Sequence, residues 1–200
     1  MTPKADRPQG RSVRLPGFDY ALHGGYFITL CAHRRECLFG RMDAGQMILG
    51  PFGQIVAEER LRTPEIRKEI RLGTCQVMPN HLHAVVFIEY GDGARATGRS
   101  PLPSPTDSVA TVGRPRGPGR RSLGALVGGF KASTTKRINA ARGLPSSPVW
   151  QRNYHEHVIQ NESELARIEQ CILENPLRWD RDVENPHRVS QETDQPHWLE

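Results

Sequence analysis

Aromatic residues make up only 6% of this 200-residue chain, and its mean hydropathy is −0.57. So little apolar material excludes a chain packed throughout and implies a folded core diluted by polar stretches. No apolar run approaches the ~20 residues of a membrane span. The basic N-terminus (Lys4, Arg7, Arg11, Arg14) is followed by no apolar stretch of the secretory-signal kind. The four cysteines, Cys31, Cys37, Cys75 and Cys171, form no CxxC pair and no disulfide-like spacing. Scattered thiols suit a reducing compartment, so the expectation is a cytoplasmic protein without a membrane partner. Acidic residues are also in deficit, 22 against 27 Lys and Arg, which leaves a net charge of +5. That excess favours a polyanionic partner without identifying one.

Against these absences stand several ordered segments. Residues 1–22 read as a basic flexible tail and residues 23–180 as the folded domain. Gly24-Gly25 opens Tyr26 to Cys31, whose aromatic and β-branched content predicts a strand. Pro51 marks a helix start, with Ile55, Val56, Glu59 and Leu61 at rough helical spacing. Ile70 to Val77 and His81 to Ile88 predict two strands joined by a tight Met78-Pro79-Asn80 turn. From Gly91 to about Arg121 the chain turns to Pro, Gly, Ser and Arg, which predicts a disordered basic insertion over 91–121. Ser122 then caps a helix with an apolar stripe of Leu123, Leu126, Val127 and Phe130, inside which Gly128-Gly129 suggests close packing. A strand over Val149 to Ile159 follows. Asn161 caps a last helix carrying Leu165, Ile168 and Ile172 and ending at Asn175-Pro176, and residues 181–200 read as a tail. The order β-α-β-β-α-β plus a C-terminal helix predicts an α+β, ferredoxin-like sandwich on an antiparallel sheet.

His81-Leu82-His83 is the first candidate for chemistry. Alternate side chains of a strand share a face, so both imidazoles point the same way and suit one divalent ion. Two polar residues on a half-exposed strand would read the same, but the turn before the pair and the apolar run after it give the pair a rigid support.

The blocks Gly24-Gly25-Tyr26-Phe27-Ile28-Thr29, Arg35-Glu36-Cys37-Leu38-Phe39-Gly40 and Val77-Met78-Pro79-Asn80-His81-Leu82-His83 resemble, in order, those of REP-associated tyrosine transposases of the single-tyrosine HUH superfamily. Gly129-Phe130-Lys131, Trp150-Gln151-Arg152-Asn153-Tyr154 and Asn175-Pro176-Leu177-Arg178-Trp179 resemble their later blocks, so the similarity spans roughly residues 18–186 outside the insertion. It implies a ferredoxin-like HUH domain, a divalent metal (Mg or Mn) on His81 and His83, and cleavage of single-stranded DNA beside a REP-like hairpin. The family includes monomers and dimers, and the resemblance leaves both open.

In such enzymes the metal offsets charge building on the scissile phosphate, and a helix-borne tyrosine attacks to leave a covalent phosphotyrosine. The resemblance implies a further polar metal ligand four residues after that tyrosine, on the same helical face, and Asn175 matches it. Four residues before Asn175 stands Cys171 in place of the tyrosine. A thiolate is a soft nucleophile poorly matched to phosphorus, and Cys171 also reads as a small buried side chain beside Ile168 and Ile172. Tyr154 is the fallback nucleophile, although its block reads equally as strand packing. His157 matches a histidine common in the family and is an alternative third ligand or a phosphate contact, whereas His155 looks incidental.

Lys131, Lys136 and Arg137 on the second helix, with Arg152, are the candidate DNA contacts; Arg114, Arg116, Arg120 and Arg121 add nonspecific attraction. Trp150 and Trp179 read as either base-stacking or core residues. Three functions follow: an active transposase, a catalytically dead hairpin-binding protein that has lost its tyrosine, and an RNA-binding ferredoxin-like domain. The last is disfavoured because the Tyr26-Phe27 strand lacks the aromatic spacing of RNP motifs.

Overall fold

The computed structural model describes residues 20–89, 119 and 121–188. The tail over residues 1–19, the bulk of the insertion and residues 189–200 lie outside that range, and Arg114, Arg116 and Arg120 with them. Four strands form one antiparallel sheet: β1 (Gly24–Cys31), β4 (Ile70–Val77), β5 (His81–Ile88) and β6 (His155–Ile159), in the order β4-β5-β1-β6. With helices α1 (Pro51–Ile66) and α2 (Leu123–Arg142), this is the predicted α+β sandwich, with the split β-α-β order of the ferredoxin-like arrangement. Among the described residues, no helix is long and apolar enough to cross a membrane.

Strand alternation divides the side chains between two faces. Tyr26, Ile28, Leu30, Leu82, Ala84, Val86 and Ile88 join the main core with Val56 of α1 and Leu126 and Val127 of α2. On the other face, Phe27 and Val85 are covered by Ile168 and Ile172 of α3 (Glu162–Glu174). The register sets Thr29 beside His83 and Cys31 beside His81 on that second face. On the far side of β1, His155 lies beside Thr29 and His157 beside Phe27, so both belong to the same face.

The predicted caps are present. Ser122 Oγ accepts from the Ala125 amide at 3.2 Å, and Asn161 Oδ1 from the Glu164 amide at 2.9 Å. Several expectations need correction. No element is predicted between β1 and α1, where β2 (Gly40–Asp43) and β3 (Gln46–Leu49) form a hairpin. Its turn uses Ala44 and Gly45, both at positive φ (47° and 75°). Strand β6 is shorter than Val149–Ile159, because Trp150 only bridges Ala32 and its Nε1 donates to Thr134 Oγ1 at 2.8 Å in the main core. Gly128 and Gly129 serve no close packing, since a Cβ on either would meet nothing within 4 Å. The boundaries also move outward. Tyr20 is buried against Tyr26, and the chain runs on from α3 as a 3-10 segment, Asn175–Arg181, that turns back over the sheet.

Candidate metal centre

The turn Met78-Pro79-Asn80 delivers His81 to the start of β5, where the residue is fully buried. Asn80 fixes its ring. The amide nitrogen of Asn80 donates to the carbonyls of Arg35 (3.1 Å) and Glu184 (2.6 Å), which orients the side chain. Its oxygen then lies 2.8 Å from His81 Nδ1 and, being only an acceptor, requires an Nδ1–H there. Burial pushes the His81 pKa well below its ordinary value, helped by His83 and Arg35, so the ring is neutral and Nε2 carries a bare lone pair.

That lone pair faces His83 Nε2 at 3.0 Å and Asp182 Oδ2 at 3.5 Å. His83 is held from behind by Thr29, whose Oγ1 lies 2.9 Å from Nδ1. One atom each of His81, His83 and Asp182 falls within 4.8 Å of the others. Two lone pairs cannot stably oppose each other at 3.0 Å, so a proton or a cation has to sit between them. A divalent cation accepting two imidazole nitrogens and one carboxylate fits this donor set. The carboxylate favours the same conclusion, because burial, with Glu184 nearby, raises the Asp182 pKa to about 6 and nearby positive charge would relieve that penalty.

Asp182 is the residue the sequence reading misses, since it falls in the stretch taken for a tail. The return of the chain puts it there. Asn185 Nδ2 donates to the Trp179 carbonyl (2.9 Å), the Asp182 amide to the same carbonyl (3.1 Å), and the Glu184 amide to Asp182 Oδ1 (2.7 Å). Turn-forming Asp182 and Asn185 were the available signal, because side chains that bond their own backbone mark an ordered turn rather than a tail. Trp179 lies nearly parallel to the His81 ring, centroids 6.1 Å apart.

Asn175 ends α3, buried, and hydrogen-bonds Asp182. Its Oδ1 is buried with no protein partner. Cys171 is half-buried one turn earlier, its thiol pKa raised by burial, with Glu174 adding to the shift and Arg178 and Arg167 opposing it. Tyr154 packs against the main core, on the face opposite His81 and His83, with the Lys131 ammonium 5.6 Å from its ring centroid. Tyr20 and Tyr26 belong to that core as well. His157 shares the face of the histidine pair, its Nε2 lies 2.8 Å from Glu164 Oε1, and the ligand atoms that converge on the pair include Asp182 and not His157.

The proposed DNA contacts divide. Lys131 is turned inward, donating to the carbonyls of Gln151 (2.8 Å) and Asn153 (3.0 Å), and burial lowers its pKa to about 8. Arg137 bonds Glu59 (2.9 Å) and Glu58 (2.5 Å), tying α2 to α1. Lys136 and Arg152 are exposed.

The fold is that of the REP-associated tyrosine transposases. The chain superposes with a TM-score of 0.51 on the REP-associated tyrosine transposase solved bound to a REP hairpin, at 16% identity over 84% of this chain and 74% of that one. It also belongs to one family with an uncharacterized protein of Haemophilus influenzae, 33% identical over 172 residues, or 86% of this chain and 91% of the relative. No protein-family model matches the chain.

Proposed function

We propose that the chain is an HUH transposase-like protein that binds single-stranded hairpin DNA around a divalent cation, Mg or Mn, and whose strand-cutting chemistry lacks an attacking oxygen. The reading is carried by the convergence of His81 Nε2, His83 Nε2 and Asp182 Oδ2 within 4.8 Å, on the fold of a transposase that binds a REP hairpin. His81, His83 and Asp182 would hold the ion, with Asn175 beside them as a further oxygen donor. A cation held there would supply charge withdrawal from phosphate oxygens. Two neutral imidazoles and one carboxylate would leave it a net positive charge, which suits a phosphate ligand. Exposed Arg152 remains to meet the DNA backbone near the centre, exposed Lys136 lies on α2 across the sheet and would meet only DNA that extends round the domain, and Lys131 and Arg137 are occupied within the fold.

Cys171 decides the rest. Its thiol stays protonated at neutral pH, and only the thiolate attacks. Among the described tyrosines, Tyr20, Tyr26 and Tyr154 all pack on the other face of the sheet. Hairpin recognition without cleavage is therefore the favoured activity. The test is a covalent-adduct assay with labelled hairpin DNA and Mn2+ on a denaturing gel. An adduct that appears only in Cys171→Tyr, and disappears when His81→Ala is added, supports the reading. A parent adduct that vanishes in Tyr154→Phe assigns the attack to Tyr154 and overturns it, and one that survives Tyr154→Phe overturns the claim that cutting is lost.

A further inference from the structure

The Asn80 side chain touches both halves of the candidate centre. Its oxygen faces His81 Nδ1 at 2.8 Å, and its nitrogen donates to the carbonyls of Arg35 at 3.1 Å and Glu184 at 2.6 Å. Glu184 lies two residues beyond Asp182 and its amide bonds the Asp182 carboxylate at 2.7 Å. Arg35 reaches the same stretch, with Nη1 donating to the Val183 carbonyl (3.2 Å) and Nε 3.1 Å from the Glu184 carboxylate. To present Asn80 with a carbonyl, Arg34 and Arg35 both adopt positive φ (55° and 56°), a conformation that costs a side-chain-bearing residue free energy and persists only where its surroundings hold it. Asn80 itself is completely buried, so each of these contacts is made away from water.

We propose that Asn80 is the positioning residue of the metal centre: its oxygen holds His81 as the Nδ1–H tautomer with the Nε2 lone pair aimed at the ion, and its amide nitrogen clamps the returning segment so that Asp182 meets that lone pair. The inference rests on the reading of His81, His83 and Asp182 as a cation site. It goes beyond that reading in making one amide responsible for both the orientation of a ligand and the closure of the loop that brings the other. Thr29 plays a different part at His83. A hydroxyl both donates and accepts, so Thr29 accommodates either tautomer: Nε2–H in the metal-free chain, where that proton bridges to His81, and Nδ1–H once a cation replaces it. The two imidazoles thus have one fixed and one adaptable partner.

An aspartate at position 80 separates the two duties of Asn80. It still accepts from His81 Nδ1–H, but it cannot donate to the Arg35 and Glu184 carbonyls. The experiment uses the full chain. Histidine tautomers are read from 15N-edited NMR near neutral pH without metal, and Mn2+ uptake is read by electron paramagnetic resonance. The parent is expected to show His81 as Nδ1–H and His83 as Nε2–H, with Mg2+ converting His83 to Nδ1–H. Asn80→Asp should keep the His81 tautomer and, with the clamp on the returning segment lost, drop about 10- to 100-fold in Mn2+ affinity, the range typical for mutating a residue of the outer shell. Thr29→Val, close in shape and in a strand that tolerates it, should keep His81 unchanged and bind Mn2+ about 10-fold more weakly. An Nε2–H His81 in a parent that still takes up Mn2+ overturns the role of Asn80 and leaves the metal centre standing. So does a folded Asn80→Asp variant with parental affinity. A parent with the expected tautomer that takes up no Mn2+ overturns the reading of the centre itself, and the role of Asn80 with it. Should Asn80→Asp fail to fold, the His81 tautomer of the Mn2+-binding parent still decides the role of Asn80.

Discussion

At the scale of single residues, the chain places the Asp182 carboxylate where burial makes its charge costly. Burial lifts Asp182 from its ordinary 3.8 to about 6, so the folded metal-free protein binds this proton more tightly than the unfolded chain does. The contribution is therefore fully present below about pH 3.8 and is lost as pH rises through about 6. Asp182→Asn removes the charge while keeping the shape. Urea melts of the metal-free protein should find it more stable than the parent at pH 7, by up to about 3 kcal/mol, with the gap closing towards pH 4. A gap that stays constant across that range would mean that Asp182 is not the buried acid described. The half of the centre that was legible in the sequence is the half that is local. Alternation along a strand puts His81 and His83 on one face whatever the rest of the fold does. Asp182 was not legible, because it reaches the pair only through a chain reversal that Asn80 and Arg35 hold from a distance in sequence of about a hundred residues or more. Lys131 and Arg137 show the same limit in the other direction. Both read as surface cations, and only the tertiary contacts turn Lys131 inward to Gln151 and Asn153 and tie Arg137 across to Glu58 and Glu59 of α1.

At the scale of elements, glycines on two helices have opposite meanings that composition cannot distinguish. Gly53 of α1 lies where a Cβ would come within 2.1 Å of the Phe39 carbonyl oxygen, so this helix approaches the chain before β2 as closely as its backbone allows. Gly128 and Gly129 of α2 face open space at ordinary helical φ, where glycine only adds unfolded-state entropy. Gly128→Ala and Gly129→Ala are each expected to stabilise by about 0.5–1 kcal/mol, whereas Gly53→Ala should cost about 1–3 kcal/mol through overpacking. Denaturant midpoints of the three variants check this, and a destabilising Gly129→Ala would mean that α2 packs against something at that surface. The helices and central strands were readable because caps and apolar spacing are local signals, as Ser122 and Asn161 bear out. The hairpin of β2 and β3 was not. Its strands are only four residues each, and although burial alternates along both, β3 reads Met47-Ile48-Leu49 as an unbroken apolar run with Ile48 exposed, so the sequence hides the alternation.

At the scale of the molecule, one sheet has two differently built faces. The first is sealed by α1 and α2 over a contiguous apolar core. The second has a small apolar patch of Phe27, Val85, Ile168 and Ile172, and beyond it a polar row in which Thr29 separates His83 from His155. Helix α3 is pinned across this face at both margins: Glu164 holds His157 of β6, and Thr74 of β4 donates to Glu169 at 2.7 Å, next to the register shift between Leu72 and Cys75. From that anchored helix the 3-10 segment carries Asp182 back to His81, so the second face closes partly on a small apolar cluster and partly on the polar group of His81, His83 and Asp182. A cation bound there, as proposed, would join β5 to the returning segment, and its binding energy would become folding energy for both. Saturating Mn2+ should therefore raise the melting temperature of the parent, by the equivalent of about 2.7 kcal/mol at one hundred times Kd. It should also slow amide hydrogen exchange across residues 182–188 more than in α1 or α2. His83→Ala should lose both effects while keeping a folded α1–α2 face. Equal protection of all elements would instead describe an ion that stabilises the molecule without bridging the strand to the returning segment, and would place the cation elsewhere.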